Sequence, residues 1–220
     1  MPLEIILDPP VDPSLLADMI VPARTALLII DVQEDFISPS GAAAKWGVDL
    51  TIFDAPIERL EKLIAAARKA GVAAVFVRVV TRDETDSAAL KNLHARKGRP
   101  PASIALCRAG TAGADYYRLR PAPGDWEIEK PLYSSFVGTD LDERLRKAGI
   151  DTLVVAGFTS DCCVDCTVRD AFHRNYDVFV VADACAAYEE TLHFGALDSL
   201  SKNCALLTDT QAVLGAWGTS

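Results

Sequence analysis

Four continuous apolar runs constrain this chain more than any other feature of it. They are "ALLIIDV" (26–32), "VAAVFVRVV" (72–80), "DTLVVAG" (151–157) and "DVFVVADA" (177–184). Each is rich in β-branched residues and none keeps a strict polar alternation. Such runs read as strands buried on both faces, which belong in a parallel sheet covered by helices. "PIERLEKLIAAARKAG" (56–71) supplies a helix, with apolar residues at helical spacing, Pro56 near its start and Gly71 past its end. Shorter strands over 126–130 and 205–209, and helices over 139–149, 161–175, 189–203 and 210–217, continue the alternation, with Thr139 as an expected N-cap. Right-handed crossovers then give an α/β fold, three layers αβα around a mainly parallel six-stranded sheet. In such sheets ligands bind beyond the carboxyl ends of the strands, near the point where the strand order reverses. Asp31, Lys130 and the segment after Gly157 are therefore the places to look for chemistry.

The chain has 220 residues, half of them hydrophobic, enough for one sizeable core. We expect a single domain over 25–220, preceded by an arm over 1–24 that carries five prolines. Residues 81–125 are the least regular part, and a stretch this long is usually functional, as a lid or an oligomer arm. The net charge of −9, with no Lys/Arg run, argues against gripping phosphate backbones or an anionic membrane. No apolar run approaches the roughly 20 residues that span a bilayer. The first residues lack a basic segment followed by an apolar one, so no signal peptide is expected. The six cysteines are irregularly spaced, which fits reduced thiols in the cytoplasm better than a disulfide scaffold.

Three of those cysteines crowd into "GFTSDCCVDCTVRDAFHRNY" (157–176), between a strand and a helix. Four readings are open on these residues alone. Zinc wants four ligands, usually in two separated pairs, and Cys163 with Cys166 makes only one. The same pair is formally a redox C-x-x-C at a helix start. Cysteines also behave as small hydrophobes, which suits Cys166, Cys185 and Cys204. The fourth reading is a nucleophile. If Asp161 caps the helix, Cys163 lies in its first turn, where free N–H groups and the helix dipole depress a thiol pKa. None of the three histidines is well placed to accept the thiol proton, which leaves Asp31 as the candidate base and Lys130 as a candidate compensating cation.

Three segments together resemble one family. "LLIIDVQEDF", "EKPLYSSFVGTDLDERLRKAGI" and "LVVAGFTSDCCVDCTVRDAFHRNYDVFVVADA" are similar to the isochorismatase-like cysteine hydrolases over about residues 24–215. The family patterns are D-x-Q-x-D-F, a Lys before S-x-F, and C-V-x-x-T-x-R-D-A after a strand. The last of them falls on Cys163, with Cys162 and Cys166 as bystanders. The resemblance implies an Asp31–Lys130–Cys163 triad and a cis peptide between Phe158 and Thr159. Oxyanion donors are then expected from the Thr159 and Cys163 N–H groups, and a pocket lined by Phe36, Phe136 and Tyr133. Asn203 matches loosely a position that relatives place near a substrate amide.

Two departures narrow the class. Nicotinamidases of this family carry D-x-H…H metal ligands after the second strand, and "VVTRDETDSAALKNLH" has no such pattern. True isochorismatases lack the nucleophilic cysteine. The expectation is a cofactor-free and metal-free cysteine hydrolase of small amide, carbamoyl or ureido substrates, forming a homo-oligomer, dimer or tetramer. The alternatives are an isochorismatase-type hydrolase of another small substrate, and a non-catalytic or redox-sensing member using Cys163 and Cys166.

Overall fold

In the computed structural model, residues 10–218 are described. Six strands form one sheet: β1 (Thr25–Ile30), β2 (Ala73–Val79), β3 (Trp126–Lys130), β4 (Thr152–Phe158), β5 (Asp177–Ala186) and β6 (Leu206–Thr208). Their order is β3-β2-β1-β4-β5-β6, and all five ladders are parallel. Every residue of β1 and of β4 is buried, as their unbroken apolar sequences require at the centre of a covered sheet. β3 forms one edge, and there Ile128 and Lys130 face inward while Glu127 and Glu129 are exposed. That is the two-residue period of a half-buried strand.

Helices cover both faces. α1 (Pro13–Met19), α3 (Asp54–Ala70) and α8 (Thr210–Ala216) pack together on one side. α5 (Leu141–Lys147), α6 (Asp165–His173) and α7 (Glu190–Asn203) occupy the other; Arg146 of α5 reaches the Arg174 carbonyl at the end of α6. α3 buries Ile57, Leu60, Leu63, Ile64 and Ala67 and ends at Gly71, whose φ of 77° lets its N–H turn back to the Ala67 carbonyl. Of residues 1–24, those before position 10 lie outside the described residues. α1 follows them, capped by Asp12 accepting from the Ser14 N–H at 2.9 Å. It puts Leu16 and Ile20 fully into the main core, and Trp217 donates to the Ile20 carbonyl.

Some boundaries differ from the sequence reading. α5 starts at Leu141, one residue beyond Asp140, so Thr139 is not its N-cap. The Thr139 hydroxyl still accepts from the Leu141 N–H and donates to the Ser135 carbonyl. The irregular region holds a helix, α4 (Ala88–Arg96), capped by Ser87. It buries no residue of its own, so no apolar stripe announced it.

The strand order reverses between β1 and β4, and there the two backbones run unusually close. Gly157 has φ of 122°, and a Cβ at this position would lie 2.2 Å from the Ile30 carbonyl oxygen. Both the dihedral and the contact exclude a side chain. Gly157→Ala is therefore expected to cost about 3 kcal/mol or more, read as a lowered midpoint in urea unfolding.

Candidate active site

Three elements deliver the polar groups of this crevice. Asp31 follows the last residue of β1 with φ of 51°, a left-handed conformation that aspartate tolerates better than most residues. Lys130 ends β3 on its inward face and is 1 % exposed. Its Nζ lies 2.7 Å from Asp31 Oδ2, and both side chains are out of water. It also donates to the Tyr133 carbonyl. Cys163 follows β4 and is 7 % exposed. Its sulfur interacts electrostatically with both members of that ion pair.

The neighbouring motif residues hold these elements in register. Gln33 is fully buried; its Nε2 donates to the Val79 and Ala114 carbonyls, and its Oε1 accepts from the Val79 N–H at 2.8 Å. Asp35 accepts from the N–H groups of Ala42 and Cys107. Thr167 of α6 accepts from the Ser135 N–H at 3.1 Å, and Ser134 donates to Asp170. The turn after Lys130 is thus tied to the helix after Cys163. Both Gln33 and Asp35 stand in the quoted D-x-Q-x-D-F pattern, but the sequence shows no partner for either.

The chain around the thiol departs from the expected helix start. Residues Ser160–Val164 form a π-helical turn and α6 begins at Asp165. Asp161 does not cap it; no side-chain cap is present, and Asp161 Oδ1 is buried without a hydrogen-bond partner. The Phe158–Thr159 peptide bond is cis. Thr159 accepts at its carbonyl from the N–H groups of Cys162 and Val164.

The electrostatics reverse one expectation. The Cys163 thiol is pushed well above its ordinary value, first by its hydrogen bond with Cys162, then by burial and the Asp31 charge, against the pull of Lys130. The expected depression does not arise, because the Cys162 hydrogen bond, burial and the facing Asp31 carboxylate all raise the thiol and outweigh Lys130. Burial likewise raises Asp31, opposed by Lys130. Lys130 is raised: burial works against its charge, but Asp31 and Cys163 outweigh it. Burial and these neighbours therefore hold the Cys163 thiol toward its neutral form beside the Asp31–Lys130 contact.

Above Cys163 opens a cavity of about 630 Å³. Phe36, Tyr133, Phe158 and Thr159 line it, together with Trp46 and Tyr188, which sequence reasoning missed. Trp46 stacks edge-on against Tyr188, whose hydroxyl donates to the Phe36 carbonyl. Phe136 is not a wall of this cavity. It is 5 % exposed in the core, packed against Tyr176 with the Arg174 guanidinium over its ring. The turn fixed by Ser135 and Thr167 directs it inward. Asn203 is exposed and donates to the Ser199 carbonyl, also away from the cavity. Residues of the irregular region, among them Leu90 and Ile104, complete the walls. That region is anchored by Arg108, which grips Asp86 with two hydrogen bonds of 2.8 and 2.7 Å.

All six cysteines are free thiols. Among the described residues, no group of three or more His, Cys, Asp or Glu side chains is arranged to hold a metal ion. No described helix is long and apolar enough to cross a membrane.

Comparison with known proteins agrees with this architecture. The ureidoacrylate amidohydrolase RutB of Methylobacterium radiotolerans is 34 % identical over 213 residues, covering 90 % of this chain and 81 % of that protein. A cysteine hydrolase from Pseudomonas syringae pv. phaseolicola superposes with a TM-score of 0.79 at 26 % identity, covering 97 % of both chains. The N-carbamoylsarcosine amidase of Thermoplasma acidophilum gives 0.67 at 29 % identity, covering 85 % of this chain and 96 % of that one. The profile of the isochorismatase domain matches residues 25–212, and with nearly the whole length accounted for, this chain belongs to the isochorismatase-domain family.

Proposed function

We propose that this protein hydrolyses a C–N bond of a small amide, carbamoyl or ureido compound through a thioester on Cys163. The buried Asp31–Lys130 pair at 2.7 Å, set beside the thiol at a cavity, carries this reading. A charge pair so fully dehydrated is costly to form and is weak evidence for stability. It suits proton transfer, because burial raises Asp31 toward its acid form while Lys130 opposes that rise, leaving a carboxyl able to take and return a proton. The names of two relatives, a ureidoacrylate amidohydrolase and an N-carbamoylsarcosine amidase, support the substrate class.

Since the thiol is held toward its neutral form, Asp31 takes its proton as the sulfur attacks the carbonyl carbon. The Thr159 and Cys163 N–H groups receive the forming oxyanion; one such donor is worth on the order of a hundredfold or more in rate. Collapse breaks the C–N bond, and the Asp31 proton leaves with the amine. Asp31 then deprotonates water, which attacks the thioester. The acid product departs and the proton returns to Cys163.

Ammonia release from a panel of small amides, carbamoyl and ureido compounds tests the reaction. Iodoacetamide, itself a small primary amide, tests the thiol. At sub-stoichiometric reagent, peptide mapping should find Cys163 labelled before the other five cysteines despite its raised thiol, because it opens on the cavity and Asp31 can take its proton as the sulfur attacks, with activity lost in proportion. Cys185, whose thiol burial pushes up to about 12, and Cys107, fully buried, should stay unlabelled. Labelling confined to Cys162 or Cys166, with activity retained, would overturn the assignment.

A further inference from the structure

The wall of the cavity over Cys163 carries a positive charge that the chemistry at the sulfur does not use. Arg99, itself an exposed residue, is the sole cation among the described residues that line the cavity. Its polar contact among the described residues is His94, whose Nε2 lies 3.4 Å from the guanidinium. Other arginines near this end have carboxylate partners: Arg78 and Arg82 share Glu129, and Arg108 pairs with Asp86. Lys130 cannot meet a ligand anion, because Asp31 and the Tyr133 carbonyl already hold it out of water.

The surroundings aim Arg99 rather than silence it. Arginine only donates, so His94 Nε2 accepts and its Nδ1 carries the hydrogen, given to Ser103 Oγ at 2.6 Å. Burial, then Arg99 and Lys97, hold His94 below its usual range, which keeps the ring neutral and able to accept. One arm of the guanidinium is thus steadied while its other donors remain open. Tyr133 feels both ends of the site: after burial, the cysteine cluster raises its hydroxyl, and Arg99 opposes this. The guanidinium, Tyr133 and the nucleophile line the same cavity. At the reacting end the charge is opposite. Asp161 lines the cavity with a buried Oδ1 that has no hydrogen-bond partner, an acceptor waiting for an N–H.

We propose that Arg99 binds a carboxylate of the substrate while Asp161 accepts an N–H of its carbamoyl group, so that the substrates are carbamoyl or ureido acids rather than neutral amides. The inference rests on the hydrolase reading above and adds which members of that class fit. In a chain of net charge −9, with Asp31 and Asp161 near the sulfur, an anionic ligand needs a local cation to be held. A guanidinium matches a carboxylate with two parallel hydrogen bonds.

Two probes of equal length separate the charge from the chemistry: N-carbamoyl-β-alanine, an acid, and butylurea, its neutral counterpart. The wild type should favour the acid in kcat/KM. Arg99→Gln should lower kcat/KM for the acid by about 10- to 100-fold, mainly through KM, and leave butylurea within about twofold. Arg99→Lys should fall between, keeping the charge but losing the fork. Cys163→Ala, which cannot turn either compound over, provides a binding assay by calorimetry. It should bind the acid more tightly than butylurea, and adding Arg99→Gln should remove the difference. Equal binding of both probes, or an Arg99→Gln effect equal on both, overturns the proposal while leaving C–N hydrolysis intact. Ammonia release insensitive to Cys163→Ala overturns the hydrolase reading itself.

Discussion

Cys163→Ala should yield a folded protein that releases no ammonia above the uncatalysed rate from any compound the wild type turns over. The side chain is small and nearly buried, so its replacement by alanine removes one sulfur from the cavity floor and leaves the ion pair standing. No neighbour can take its place. Cys162 shares the cavity, but it is the Cys163 sulfur that interacts electrostatically with both members of the ion pair. Cys166 is half-buried, and burial first, then the nearby Cys162, raises its thiol to about 11. Cys162→Ala and Cys166→Ala should therefore keep most of the turnover. Removing Cys162 also removes the hydrogen bond that does most to raise the Cys163 thiol, so its alkylation by iodoacetamide should quicken. Adding Asp31→Asn to Cys163→Ala should cost nothing further, because groups that share one proton path fail together. Steady-state ammonia assays, with circular dichroism to confirm folding, decide the matter. Near-normal turnover in a folded Cys163→Ala protein would end the cysteine-hydrolase reading.

Breaking the buried pair should be nearly as damaging, and in two separable ways. Asp31→Asn keeps the shape of the side chain and removes the proton acceptor; Lys130→Met keeps the stem and removes the cation. Each should lower turnover by at least about a hundredfold. Each also strands a buried charge, at about 3–5 kcal/mol of stability. The double variant Asp31→Asn/Lys130→Met strands neither, so it should regain much of that stability and none of the turnover. Urea unfolding and ammonia release on the same four proteins separate the roles. An Asp31→Asn enzyme within tenfold of wild type would remove Asp31 from the mechanism. The pH profile offers a further check. The base must be ionised, and burial raises Asp31 above the ordinary 3.8 even against the pull of Lys130. Activity should therefore fall with acidity at a pH above the usual carboxylate range.

The sheet was legible because its signal is local. An unbroken apolar run such as 26–30 belongs between two helical layers, and β1 and β4 are wholly buried. The three candidate triad residues were legible for a related reason: each stands at or just beyond the end of a strand, where a parallel sheet places its ligand. The sequence also showed α3 by its period and its terminal glycine. Helix α4 escaped because it has no buried face from which a period could be read.

What only the tertiary structure decided concerns groups that meet from distant parts of the chain. Lys130 and Asp31 are 99 residues apart, and their 2.7 Å contact depends on strand order, which no local pattern encodes. Phe136 was expected as a cavity wall, yet it is buried in the core against Tyr176 with the Arg174 guanidinium over its ring. The thiol was expected to be acidified by a helix start. Its environment is instead set by Cys162, burial and Asp31, which raise the thiol against the pull of Lys130. Arg99 reads in sequence as one more solvated charge in an irregular stretch. Only the fold places it, without a carboxylate partner among the described residues, on the cavity that holds Cys163. Sequence by itself determined the layers and the strand ends where chemistry can occur, since burial and periodicity act along the chain. Protonation, cavity walls and charge selectivity were left to the tertiary structure, because they depend on distances across it.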